Sequence, residues 1–338
     1  MDTHPLDRPA AGAEVSKDNV AKFQTPSPWR AAWQVLNSFV PYGLLWFAML
    51  RALAVSYWLM LPIAILAAGF LVRIFIIFHD CGHASFFKSR RANNLTGAIA
   101  GLLNLTPYRH WRWQHALHHG TSGDLDKRGT GDIWTMTVRE YVESSFWTRF
   151  AYRLARNPIV LLMIVPVYLF VIHYRFASSA APSRERRSVG RTNLALLGVA
   201  ALLSGLIGFK AFIVIQITVL AFAGALGVWL FYVQHQFQGA YWARSAEWDY
   251  AAAALQGSSF YKLPKTLQWF TGNIGFHHIH HLSPRIPNYH LQQCHDADPF
   301  FTTIKPVTLL SSRRSLALRL WDEQRKMFVG FGHLRTES

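Results

Sequence analysis

Apolar residues run along this chain in long blocks divided by polar, basic stretches. The first block extends from Phe39 to Phe78, with Arg51 and Ser56 near its middle, and the second from Thr192 to Val233, with Lys210 near its middle. A helix needs roughly 20 apolar residues to cross the hydrocarbon layer, so each block predicts a helical hairpin. Two weaker segments remain. Leu95–Thr106 is too short to span, and Pro158–Ile172 is short, carries Pro158 and Pro166, and is flanked by Arg153, Arg156 and Arg175. The expected fold class is an all-α integral membrane protein: four spans in two hairpins, re-entrant or interfacial helices, and a cytosolic helical cap.

Composition agrees with a membrane protein. Of 338 residues, 51% are hydrophobic and only 15% charged, against about 25% charged in a soluble domain. Low hydrophobicity, which disorder requires, is excluded. A disulfide framework is excluded too, because Cys81 and Cys294 are the two cysteines. The net charge of +16 has its simplest account in anionic headgroups, and nucleic acid is not an expected partner.

The basic residues are unevenly placed. All but Arg51, Arg73 and Lys210 of the 34 Lys/Arg fall in residues 1–37, 78–158, 175–191 and beyond 234. Excess Lys/Arg marks the cytosolic side, so both termini and both large polar regions are expected there. That parity requires Pro158–Ile172 not to cross. Residues 1–37 contain Asp2, Asp7, Glu14 and Asp18 and no apolar signal-peptide core. They predict a mobile cytosolic tail before a single membrane domain at 38–338, whose cytosolic C-terminal region begins near residue 235. Ser178–Ser188 reads as a linker.

The chemistry is concentrated in histidine. Nine of the 16 histidines occupy three five-residue windows: His79 and His83; His115, His118 and His119; His277, His278, His280 and His281. On a helix, positions i, i+3 and i+4 share a face, and neutral imidazole is the commonest protein metal ligand. This many imidazoles exceeds one four-ligand structural zinc site and suffices for two metal ions with open positions. His79 ends the second apolar helix, His235 ends the last one within Gln234-His235-Gln236, and the other boxes lie in the polar regions. All can meet just inside the membrane surface. His4, His110, His173, His290, His295 and His333 fall outside the constellation and are expected to be ordinary surface or packing histidines.

HxxxH, HxxHH and HxxHH joined to two membrane hairpins resemble the membrane fatty acid desaturase family. The surrounding residues extend the likeness over roughly 35–300: HDCGHASF at His79–Phe86, WRWQHALHH at Trp111–His119, YVQHQF at Tyr232–Phe237, and GNIGFHHIHHLSPRIPNY at Gly272–Tyr289. The three-residue gap in the first box resembles the acyl-lipid, delta-12 or omega-type branch. The delta-9 acyl-CoA branch typically has four. The resemblance implies two non-haem Fe ions held by His79, His83, His115, His118, His119, His235, His277, His280 and His281. His278 lies outside the HxxHH pattern, although His277, His278 and His281 also satisfy helical spacing. Some family members place an asparagine four residues before the histidine of the last span. Phe231 stands there in this chain, leaving Gln234 or Gln238 to supply the polar contact.

The implied reaction inserts a cis double bond into a lipid-linked acyl chain, using O2 and two electrons. No four-cysteine iron–sulfur spacing is present, so electrons are expected from an external donor, ferredoxin-like or a b-type cytochrome. A basic face of Arg109, Arg112, Lys127, Arg128, Lys262 and Lys265 would attract such an acidic protein or, equally, lipid headgroups. Asp80, Asp124, Asp126 and Asp132 are candidate acceptors for histidine N–H groups. Tyr108, Trp111, Trp113, Tyr241, Trp242 and Trp248 are expected mainly as interfacial anchors. A di-iron hydroxylase or carotenoid ketolase shares the boxes. A zinc hydrolase would want HExxH, which is missing, and a haem or metal-transport protein would want polar residues at mid-membrane depth.

Overall fold

Both apolar blocks fold as helical hairpins in the computed structural model, which describes residues 15–129 and 131–335. A short helix α1 (Lys17–Ala21) precedes α2 (Pro28–Leu53) and α3 (Tyr57–Gly82), each of the latter 26 residues. At 1.5 Å per residue each is about 39 Å long, more than the roughly 30 Å hydrocarbon layer. Ser27 and Ser56 cap the two helices, and Pro28 occupies the first turn of α2, where its missing N–H costs nothing. α2 therefore begins ten residues before the boundary placed at 38. The expected tail is ordered from Val15 on, with Val20 buried against Ile279, Leu291 and Phe301. Residues 1–14, with His4, lie outside the described residues.

Two shorter helices follow, α4 (Arg90–Leu103) and α5 (Tyr108–Thr121), then β1 (Met136–Thr137), α6 (Val138–Glu143) and α7 (Phe146–Ala155). Thr137 and Glu140 form a reciprocal capping box at the start of α6. The segment Pro158–Ile172 is no straight span. A single α-turn, α8 (Val165–Val167), sits between two π-helical turns, and Val160–Arg175 is bent 65° from α7. Pro166 removes one backbone donor there, which is one physical cause of such breaks.

The second hairpin is α9 (Ser183–Ile207) and α10 (Phe209–His235), joined at Gly208, whose φ of +86° suits a residue without Cβ. Ser183–Ser188, expected within a linker, forms the first turns of α9. α2, α3, α9 and α10 are all long and apolar enough to cross a membrane. They are not equivalent. The apolar window of α3 is 56% buried within the protein and that of α9 0%, so α3 is the interior helix and α9 presents Leu194, Leu197, Leu202 and Leu206 outward. Buried Arg73 on α3 is held by Ser38 Oγ at 3.1 Å, by the Trp269 carbonyl and by the Trp269 ring 3.9 Å away.

After α10 the chain lays α11 (Tyr250–Leu255), β2 (Tyr261–Lys262), α12 (Lys265–Phe270), α13 (His277–Leu282) and α14 (Asn288–Ala297) across the end of the bundle where α3 and α10 terminate. Short strands tie down the rest. β2 runs parallel to β3 (Val307–Thr308), and β4 (Leu320–Asp322) runs parallel to β1 and antiparallel to β5 (Met327–Val329). The outcome is a helical membrane fold with a cap, in which these strands act only as clips.

Candidate metal centre

Four helices deliver the histidines to one place. His79 lies in the last turn of α3 and His83 is its C-cap; His115, His118 and His119 share one face of α5; His235 is the last residue of α10; and α13 begins at His277. α13 is a single short helix and depends on tertiary ties for its position. Gln234 Nε2 donates to the Ile274 carbonyl at 3.0 Å just before it, and Tyr250 Oη donates to the His281 carbonyl at 2.7 Å.

The rings form two adjoining groups. Ligand nitrogens of His79, His83, His115, His119 and His280 lie within 4.8 Å of one another, as do those of His118, His235 and His281. His277 joins the second group through Nε2, 3.0 Å from His235 Nε2. The groups meet where His119 and His281 stack with centroids 4.1 Å apart. His278 faces the other way, packed against Phe260, Phe301 and His295. Of the two spacings open for α13, the geometry gathers His277, His280 and His281.

The chemistry of this donor set fits cations. Nε2 atoms face each other at 3.2 Å for His118 and His235, and at 3.1 Å for His119 with both His115 and His280. His83 Nε2 and His281 Nε2 are buried without a protein partner, which is costly unless something else engages them. Burial, and then the neighbouring imidazoles, hold His83, His115, His119, His277, His280 and His281 well below the usual histidine range, so these rings are neutral at neutral pH and able to bind a cation. Two carboxylates orient them. Asp80 Oδ1 accepts from His79 Nδ1 at 3.0 Å, and Asp132 Oδ1 accepts from His118 Nδ1 at 2.8 Å. An ionised carboxylate can only accept, so Nδ1 carries the proton and Nε2 keeps its lone pair for the centre.

Other expected contributors are placed elsewhere. Asp124 accepts from Ser245 Oγ and Lys127, and Asp126 pairs with Arg244 at 2.7 Å; neither touches a histidine. Phe231 packs against His118 and His235, centroids 5.2 and 5.0 Å away. Gln238 is exposed, while Gln234 is buried beside the site. Tyr108, Trp111 and Trp242 are buried rather than interfacial. Trp111 stacks on His115 at 4.4 Å, Tyr108 Oη donates to the Cys81 carbonyl, and Trp242 packs on Trp321 and Phe328. Two residues that no spacing rule singles out also belong here. Asn288 donates to Asp80 through its backbone N (2.6 Å) and Nδ2 (2.8 Å), and Ser122 Oγ stands 3.4 Å from His235 Nδ1.

A cavity of about 920 Å³ opens against His79, His115 and His277. Its apolar lining includes Phe75 of α3, Val165 of the bent segment, and Leu220, Gly224 and Phe231 of α10. A Cβ on Gly224 would stand 2.6 Å from Pro166 Cβ, so the bent segment closes on α10 only because residue 224 has no side chain. His110 and His173, expected outside the site, line this cavity but belong to neither imidazole group. His110 accepts from the Ser178 backbone N at 3.1 Å, His290 contacts the Phe23 carbonyl, His295 is buried among Phe260 and Phe276, and His333 contacts Asp322.

Comparison with known proteins accords with this arrangement. A family model described as Fatty acid desaturase matches residues 56–302. A Bacillus subtilis protein named Fatty acid desaturase is 49% identical over 312 residues, covering 92% of this chain and 89% of the relative. A Picosynechococcus sn-1 oleoyl-lipid 12-desaturase is 27% identical over 258 residues (72% and 70% covered), and a Nostoc sn-1 acyl-lipid omega-3 desaturase (ferredoxin) is 29% identical over 266 residues (74% and 68% covered). The matched region runs from the start of α3 to the end of α14 and so contains every clustered histidine. With these rings gathered beside an apolar cavity, the chain belongs to the fatty acid desaturase family of oxidoreductases.

Proposed function

We propose that this enzyme desaturates the acyl chain of a membrane lipid at two irons held by His79, His83, His115, His118, His119, His235, His277, His280 and His281. The observation that carries the assignment is the pair of adjoining imidazole groups against one wall of an apolar cavity. Two irons there would supply O2 activation and hydrogen removal from adjacent methylenes. The protein's own part is positional. Asp80 and Asp132 hold His79 and His118 in the tautomer that turns Nε2 inward. The apolar walls exclude water and hold the chain extended past the histidines, so the carbons lying beside His79, His115 and His277 are the ones that react.

The names of the Picosynechococcus and Nostoc relatives, with the three-residue gap in the first box, support a lipid-linked substrate in the 12- or omega-type class. Electrons come from a separate carrier, a ferredoxin-like protein or a b-type cytochrome. Cys81 and Cys294 are both buried and too few for a cluster, and the Nostoc relative's name specifies ferredoxin. On the basic face, Lys127 and Arg128 are already paired with Asp124 and Glu140 and Arg109 lines a separate hollow, which leaves Arg112, Lys262 and Lys265 for an acidic donor. The distribution of Lys/Arg supports a cytosolic location for the boxes and both termini. Metal analysis of purified protein tests the central assignment. About two irons per chain are expected, whereas zinc alone or haem absorbance would overturn it.

A further inference from the structure

A second hollow, of about 650 Å³, lies between α4, the start of α5 and the first half of α9. It is separate from the cavity at the histidines. Tyr108 and Arg109 line the hollow, whereas His110 and Trp111 line the cavity. Its walls combine two chemistries. Arg184, Arg187 and Arg191 are spaced i, i+3 and i+7 on α9 and so share one face, and Arg109 approaches from α5. Ser188 and Thr192 add hydroxyls, while Leu102, Ala98 and Ala195 add apolar lining.

Arg184, Arg187 and Arg191 are exposed and Arg109 is half-buried, so the hollow concentrates positive charge at an open surface. Some arginines elsewhere are matched by acids: Arg128 with Glu140, Arg139 with Glu143, and Arg244 with Asp126 and Glu323. Among the described residues Arg109, Arg184, Arg187 and Arg191 have no such ion pair. A phosphoryl group answers this geometry, since its oxygens accept from several planar guanidinium forks at once. The apolar lining indicates which phosphate. α9 passes within one turn of Arg191 into the apolar stretch that begins at Leu194, so the hollow straddles a polar layer and a lipid-facing one. Basic pockets between membrane helices are where anionic headgroups dock.

We propose that this hollow binds an anionic glycerophospholipid, its phosphate among Arg109, Arg184, Arg187 and Arg191, and its glycerol and upper acyl carbons against Leu102, Ala98 and Ala195. The site goes beyond the desaturase assignment and does not depend on it, because binding is measured without turnover. Native mass spectrometry of the full chain in detergent, titrated with phosphatidylglycerol, phosphatidylcholine or inorganic phosphate, tests it.

Wild-type protein should retain phosphatidylglycerol on the order of tenfold more tightly than phosphatidylcholine. The triple variant Arg184→Gln, Arg187→Gln, Arg191→Gln should lose that preference, and Arg187→Gln alone should weaken it. A charge-matched triple outside the hollow, Arg90→Gln, Arg91→Gln, Arg186→Gln, should keep it. Equal losses in both triples would mean diffuse attraction to basic surface and would overturn the site. Equal retention of the two lipids would overturn the headgroup assignment. Displacement of the lipid by inorganic phosphate at equal concentration would assign the hollow to a soluble anion instead.

Discussion

Replacing Asp132 by asparagine isolates the orientation of one ligand. The Asp132 side chain is 8% exposed and accepts from His118 Nδ1 at 2.8 Å. Asparagine has nearly the same shape but no charge, and its NH2 group can turn toward Nδ1. A ring that accepts at Nδ1 must carry its proton on Nε2, the atom that faces His235 at 3.2 Å, and a protonated nitrogen cannot bind a metal. Carboxylates behind metal-bound imidazoles are typically worth about 10- to 100-fold in metal affinity or activity, or about 1.4–2.7 kcal/mol. The expected result for Asp132→Asn is iron loss at about 10- to 100-fold lower chelator concentration than wild type, with a parallel fall in turnover. Asp124→Asn is the internal control, since Asp124 also has a buried side chain in the same loop but engages Ser245 and Lys127. Its iron retention should match wild type. Wild-type retention in Asp132→Asn, or an equal loss in Asp124→Asn, would refute the orientation argument.

His235→Gln should abolish activity and lower bound iron, because an amide is a much poorer ligand than imidazole, while His173→Gln and His333→Gln keep iron near the wild-type content; metal analysis of the three variants decides. Gly227 lines the cavity, and a Cβ there meets nothing within 4 Å, so Gly227→Leu should leave iron content unchanged and reduce turnover of long acyl chains more than short ones. Cysteines introduced at Ser179 and Lys210 should label from opposite sides of the membrane in intact cells and inverted vesicles; labelling from the same side would mean that α9 does not cross.

Hydrophobic block length and histidine spacing were legible because each maps onto one helix. The hairpins follow from run length, and the shared faces of α5 and α13 from i, i+3, i+4 geometry. Long-range contacts leave no such periodic trace. Asp124, Asp126 and Asp132 lie within nine positions and look alike in sequence, yet only Asp132 meets a histidine, because Ser245 and Arg244 arrive from beyond α10 to engage the other two. Asn288 reaches Asp80 across 208 positions. Trp111 and Tyr108 resembled interfacial anchors because amphipathic rings serve both roles, and only the approach of α5 to α3 buries them. The early start of α2 has a local signal, since Ser27-Pro28 is a strong helix start.

Lipid analysis of a host that lacks polyunsaturated acyl chains but has a working electron donor tests the central claim most directly. Expression of the wild-type chain should introduce a new cis double bond, in an already monounsaturated chain, and His235→Gln should introduce none. Unchanged unsaturation with folded, iron-loaded wild-type protein would contradict desaturation, and a hydroxylated or ketolated product in its place would assign these same histidines to an oxygenase.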